Sequence, residues 1–366
     1  MTQTPMSSYS GSGSPRGIGR MAVLDGLRFL AAVAVMLFHF TARSNPSWGQ
    51  PVSEVFPALQ PITSLGAFGV DLFFVISGFV IPLTAWGRGI GAYTASRISR
   101  LYPAYWAGVL LTGFLLLVLW PDRRDLDVTT VMVNLTMLQE AFGYGHVDGV
   151  YWTLWAELRF YLILGVLVVI GVTTGRLLAL AAVWPPLAAL AELSGMDFLA
   201  TMLVSDYAPL FAGGIALYVL SRNSRSVIAW LVLAENVLIG ASWSAERTQD
   251  LIQATTRSEI STATAALAVV ACFALVAAAT LTRLRHFSAT WLTTAGLLTY
   301  PLYLLHEYWG WWVIHLLHDR LPVVVTLAAA IAVVLVLAWL VHRLVERPLG
   351  RRMRRALDRD LVRVGV

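Results

Sequence analysis

Lysine is missing altogether, so the 26 basic positions in this 366-residue chain are all arginine. Charge is scarce as well: 13% of residues are Asp, Glu or Arg, about half the roughly 25% of a soluble domain. That rules out an ordinary water-soluble enzyme, and no nucleic-acid partner is expected. The single cysteine, Cys272, excludes an intrachain disulfide and any cysteine metal cluster; in its apolar run it reads as a small packed residue. There is no Gly-rich phosphate loop, no HExxH, no Cys/His ligand spacing and no repeat of fixed period, so no resident metal or permanently bound cofactor is expected.

What is abundant is hydrocarbon. Hydrophobic residues make up 58% of the chain and the mean hydropathy is +0.70, which is the composition of a polytopic membrane protein. A helix needs about 20 apolar residues to cross the hydrocarbon layer. Ten segments qualify or nearly so: 21–41, 66–86, 101–120, 151–171, 177–193, 205–221, 226–243, 262–282, 292–316 and 322–342. The fold class is therefore all-α, about ten transmembrane helices. The stretch 121–150 is amphipathic and too short to cross, and is expected to form an interfacial or re-entrant helix. With the N-terminus inside, 18 of the 26 arginines fall on the cytoplasmic side, six outside and two within spans, so both termini are expected in the cytoplasm. Residues 1–20, rich in Ser, Gly and Pro, read as a disordered tail rather than a cleaved leader. Residues 21–343 form the membrane domain, and 344–366 a basic cytoplasmic tail suited to anionic lipid.

Ionisable groups inside spans cost about 2.5 to 3.5 kcal/mol on insertion scales and usually face a protein interior. "LDGLRFLAAVAVMLFHF" (24–40) places Arg28 and His39 eleven positions apart. On a helix this is about 20° past three turns and about 16 Å along the axis, so the two side chains share one face. Either both line one internal channel, or each is merely tolerated near its own end. Further candidates are Asp71 and Ser77 in "GVDLFFVISGFVI", Arg97 and Arg100 in "SRISRLYPAYW", Glu157 in "YWTLWAELRFYLIL" and His306 in "LLTYPLYLLHEYWGWW". Arg97 and Arg100, three apart near a helix start, suit a phosphate clamp, while Trp152 and Trp155 suit an interfacial belt.

These pieces together resemble the membrane-bound acyltransferase 3 family. "DGLRFLAAVAVMLFH", "VDLFFVISGF", "RISRLYPAYW", "WTLWAELRFYL" and "TYPLYLLH" follow in the family's order from residue 24 to 306, and "ERP" at 346–348 closes the last span. "AELR" departs from the adjacent carboxylates common in the family, leaving Glu157 alone with Arg159 beyond it. The C-terminal hydrolase-like domain of many members has no counterpart within these 366 residues. The resemblance implies transfer of an acyl group, acetyl or succinyl, from acyl-CoA as cosubstrate to a hydroxyl of an envelope carbohydrate or glycolipid, or of a small glycosylated metabolite such as a macrolide. It implies essential roles for Arg28 and His39, and a catalytic role for Glu157. Donor phosphates are expected on Arg28, Arg97 and Arg100, and the acceptor near Asp71, Ser77, Trp152, Tyr161 and His306. His39 is expected to act as general base or to accept the acyl group covalently, with Glu157 orienting its imidazole. A transporter shares the composition, and CoA release separates the two readings.

Overall fold

The computed structural model describes residues 21–364, so the expected disordered tail 1–20 lies outside the described residues. All ten expected spans are helical: α1 (Ala22–Thr41), α2 (Gly69–Ala85), α3 (Ile90–Phe114), α4 (Trp152–Ile170), α5 (Thr174–Leu193), α6 (Ala208–Arg222), α7 (Val227–Ile239), then α9 (Thr262–Leu281), α10 (Thr290–Leu317) and α11 (Val323–Val341). The amphipathic α8 (Ala245–Thr255) continues α7 through a widened turn at 240–244, and α12 (Arg347–Val364) continues α11 in the same way. No strand occurs among the described residues. Eight helical stretches are long and apolar enough to span a bilayer. The other two have plain reasons for falling short. Helix α6 has only 15 residues, and α10 has 28 but carries Trp, Tyr and His in place of aliphatic residues.

Helices α1, α2, α6 and α10 form the centre. Every residue of α6 from Ala208 to Leu220 is buried, as expected of a helix apolar on all sides. It packs between α2, α5, α7 and α9. Gly78 and Gly214 let α2 and α6 touch: a Cβ on Gly78 would strike the Phe211 carbonyl, and one on Gly214 the Val75 carbonyl. On the other side α1 lies against α10, with Phe40 seated on Gly310 and Asp25 on Gly296. Val183 and Leu190 on α5, and Val324, Val336 and Trp339 on α11, are exposed apolar groups, the outward face that a lipid solvent requires. This is a polytopic helical membrane protein.

The stretch 121–150 is not one helix. Its α-helical part is the seven-residue Val128–Asn134, capped by Asp127 accepting from Thr130 N–H at 2.7 Å, with single 3-10 turns at Pro121–Arg123 and Glu140–Phe142. The remainder is held by side chains. Asn134 donates to the Gly145 carbonyl at 2.9 Å and accepts from Val147 N–H at 3.0 Å, and Gln139 Nε2 lies 2.7 Å from His146 Nδ1. These bonds bring Asp148 and Gly149 back onto α10 beside Glu307. The basic α12 lies across α3, its Gly350 against the Ser99 carbonyl.

Candidate active site

Two centres lie along one face of α1. The first surrounds Arg28. A cavity of about 100 Å³ is lined by Arg28 from α1, Phe73 and Ser77 from α2, Arg100 from α3, Glu157 and Tyr161 from α4, and Tyr300 and Tyr303 from α10. Glu157 Oε1 accepts from Ser77 Oγ at 3.0 Å and from Tyr161 Oη at 2.6 Å, so the half-buried carboxylate has hydrogen-bond partners within the fold. Arg28 pairs with Asp25 at 3.7 Å, one turn back along α1. Arg100 is exposed, which makes its guanidinium the outermost cation of this cavity.

The far wall of that cavity is Tyr303. Its hydroxyl lies 2.8 Å from Thr153 Oγ1 and donates to the Val150 carbonyl at 3.2 Å. One turn further along α10, the His306 ring stands 5.7 Å from the Tyr303 ring and 4.8 Å from that of His39. This is the second centre. His39 Nδ1 is 2.8 Å from the Val35 carbonyl and 3.2 Å from His306 Nε2, while His306 Nδ1 is 2.8 Å from the Tyr303 carbonyl. A carbonyl can only accept, so these partners assign the proton of each imidazole to Nδ1. The lone pair of His39 is then on Nε2. There it meets Arg43 Nη1 at 3.0 Å, with Glu307 Oε2 at 3.8 Å; Arg43 also reaches Glu307 Oε1 at 3.1 Å. Asp148 is wholly buried beside Glu307, and burial, with the Glu307 carboxyl next to it, holds its pKa well above the usual carboxylate range. Trp311 Nε1 donates to the His39 carbonyl at 2.9 Å, pinning the last turn of α1 to α10.

The structure thus brings Arg28, Arg100, Ser77, Glu157 and Tyr161 together at one centre, and His39 with His306 at the other. It separates the rest. Glu157 is not the partner of His39: it faces Ser77 and Tyr161 inside the Arg28 cavity, and Glu307 and Arg43 hold the imidazole instead. Arg97 and Arg100 do not open their helix, which begins at Ile90. Arg97 is buried, donates to Thr84 Oγ1 at 2.9 Å and lies over the rings of Tyr93 and Tyr161, so it supports the cavity wall without lining it. Asp71 is fully buried and accepts from Thr248 Oγ1 at 3.1 Å, away from both centres. Trp152 faces a separate cavity of about 620 Å³ together with Arg159, Asp206, Tyr207 and Arg247. The sequence reading missed Arg43 and Asp148, which lie outside every span, and left Glu307 unused although its place beside His306 in a span was the available signal.

Three comparisons bear on this arrangement. The family model described as "Acyltransferase domain", acyltransferase 3, matches residues 21–343. "Acyltransferase MdmB" of Streptomyces mycarofaciens is 28% identical over 155 residues, an alignment covering 40% of this chain and 39% of that protein. The chain therefore spans well under half the length of this curated relative. No solved structure matches. A family model that covers nearly all of the described chain, over helices that carry an arginine cavity and a buried imidazole pair on one face, leaves a single assignment: the chain belongs to the acyltransferase 3 family.

Proposed function

We propose that this protein transfers an acyl group, acetyl or succinyl, from cytoplasmic acyl-CoA to a hydroxyl of an envelope carbohydrate or glycolipid. One observation carries the reading: a cavity with two arginines ends on Tyr303, and beyond it His306 packs against His39, whose Nε2 lone pair faces Arg43 and not a backbone carbonyl. Arg28 and Arg100 hold the donor phosphates as guanidinium forks, with Ser77, Glu157 and Tyr161 shaping the slot for the pantetheine arm. The donor's acyl end then reaches His39 past Tyr303 and His306.

His39 Nε2 then takes the proton of the acceptor hydroxyl, whose oxygen attacks the thioester carbonyl. The C–S bond breaks, and the CoA thiolate leaves and takes up the proton from Nε2. While the proton rests on Nε2, Glu307 Oε2 is the anion nearest to it, the stabilising third group of acyl-transfer sites. The test uses purified protein and labelled acetyl-CoA. His39→Gln is expected to abolish CoA release, and full activity in that variant overturns the mechanism. Envelope glycans compared by mass spectrometry with and without the gene identify the acyl mass and the acceptor; a change confined to a secreted metabolite moves the acceptor to a small glycosylated molecule. A carrier releases no CoA.

A further inference from the structure

The surroundings of His39 hold more positive charge than the acyl-transfer chemistry uses. Arg43 follows the end of α1, and Arg123 lies in the turn that follows α3. Both guanidinium groups sit over the same indole, that of Trp311, at 5.7 and 5.1 Å from its centre. Arg123 is also over Trp120 and Tyr308, makes no ion pair among the described residues, and has a buried Nε without a hydrogen-bond partner. Arg124, the next residue, donates to the Val147 carbonyl at 3.4 Å. The acidic groups facing this cluster are Glu307 and Asp148. Three guanidiniums thus face two carboxyl groups, with His39 and His306 beside them. The Arg43 side chain is 29% exposed, so the cluster opens to the outside of the fold while touching the imidazole.

Two cations on one ring repel each other until an anion joins them, and a neutral sugar stacked on Trp311 would need neither. Arg43 has a second property: it occupies His39 Nε2 at 3.0 Å, the very lone pair that the transfer requires. A neutral acceptor has nothing with which to draw it away. We propose that the substrate reaching His39 carries an oxyanion, a carboxylate or phosphate, which Arg43 and Arg123 bind, and that this contact lifts Arg43 off Nε2 and frees the base. The oxyanion comes from one of two sources: the distal carboxylate of a succinyl-type acyl group, or a uronate or phosphate on the acceptor.

This inference rests on His39 being the transfer base. Its test measures binding, so the two fail separately: full turnover in His39→Gln sinks the base, and the binding ratios stand on their own. Equilibrium binding to the purified full-length protein is measured for two sets of probes. One is succinyl-CoA against acetyl-CoA, and the other is methyl glucoside against its uronate and its 6-phosphate. In one set the anionic member is expected to bind about tenfold tighter, the scale of one charge-assisted hydrogen-bond pair. Arg123→Gln brings that ratio to about one, and Arg123→Lys restores part of it. Preference within the CoA pair assigns the oxyanion to the acyl group, and preference within the glycosides assigns it to the acceptor. Equal binding throughout, or a preference that survives Arg123→Gln, overturns the proposal.

Discussion

At the scale of single residues, the two carboxylates of the site make separable predictions. Glu307 touches the imidazole through Arg43 and directly at 3.8 Å, so Glu307→Gln is expected to lower kcat by about tenfold or more while the donor KM holds. Glu157 touches only Ser77 and Tyr161 in the arginine cavity, so Glu157→Gln is expected to raise the donor KM and leave the pH profile of kcat in place. Steady-state kinetics against acyl-CoA checks both, and interchanged outcomes would return Glu157 to the imidazole. The residue reading found Arg28 and His39 because eleven helical positions return to the same face. It could not find Arg43 or Asp148. Both lie in connections, where no periodicity says which way a side chain points.

Elements carry predictions of a different kind. The approach of α1 to α10 depends on Gly310, where an added Cβ would enter the ring of Phe40. Gly310→Val is expected to cost about 1 to 3 kcal/mol, as overpacking does, and thermal unfolding in detergent would register it as a lowered Tm. The connection 121–150 is tied in part by His146, whose Nδ1 accepts from Gln139. Burial depresses the His146 pKa, against an opposing pull from Glu140. The folded form thus binds its proton less readily than the unfolded chain. Its contribution to stability is complete above the ordinary histidine value of about 6.5 and declines as pH falls from there toward the depressed value. Hydrogen-exchange protection factors across 128–147, each referred to the intrinsic rate at the same pH, should therefore be smaller at pH 5 than at pH 7.5. His146→Gln, which cannot charge, should show less of that difference. No helix period announced this connection, because Asn134 and Gln139 hold it through side-chain bonds.

For the molecule as a whole, the arginine distribution makes a topological prediction. Asp319, beyond α10, and Arg355, in α12, are both exposed and are expected on opposite sides of the membrane. Cys272 is buried and leaves a quiet background, so single cysteines at 319 and 355 can be labelled by a membrane-impermeant maleimide in intact cells. Reaction at 319 and protection at 355 is the expected result, and the reverse pattern would invert the proposed donor side.

By itself the sequence determined the class of protein, the position of its helices and the face shared by Arg28 and His39. Hydropathy and helical period are local properties, and a lipid solvent enforces both. Which side chains meet across helices was decided only by tertiary structure. Glu157 and Glu307 are both ionisable groups within apolar spans, and nothing in their spacing distinguishes the partner of the imidazole from the partner of the cavity. That choice follows from α10 seated on α1 at Gly310, which sets His306 and Glu307 beside His39 while α4 turns Glu157 toward Ser77.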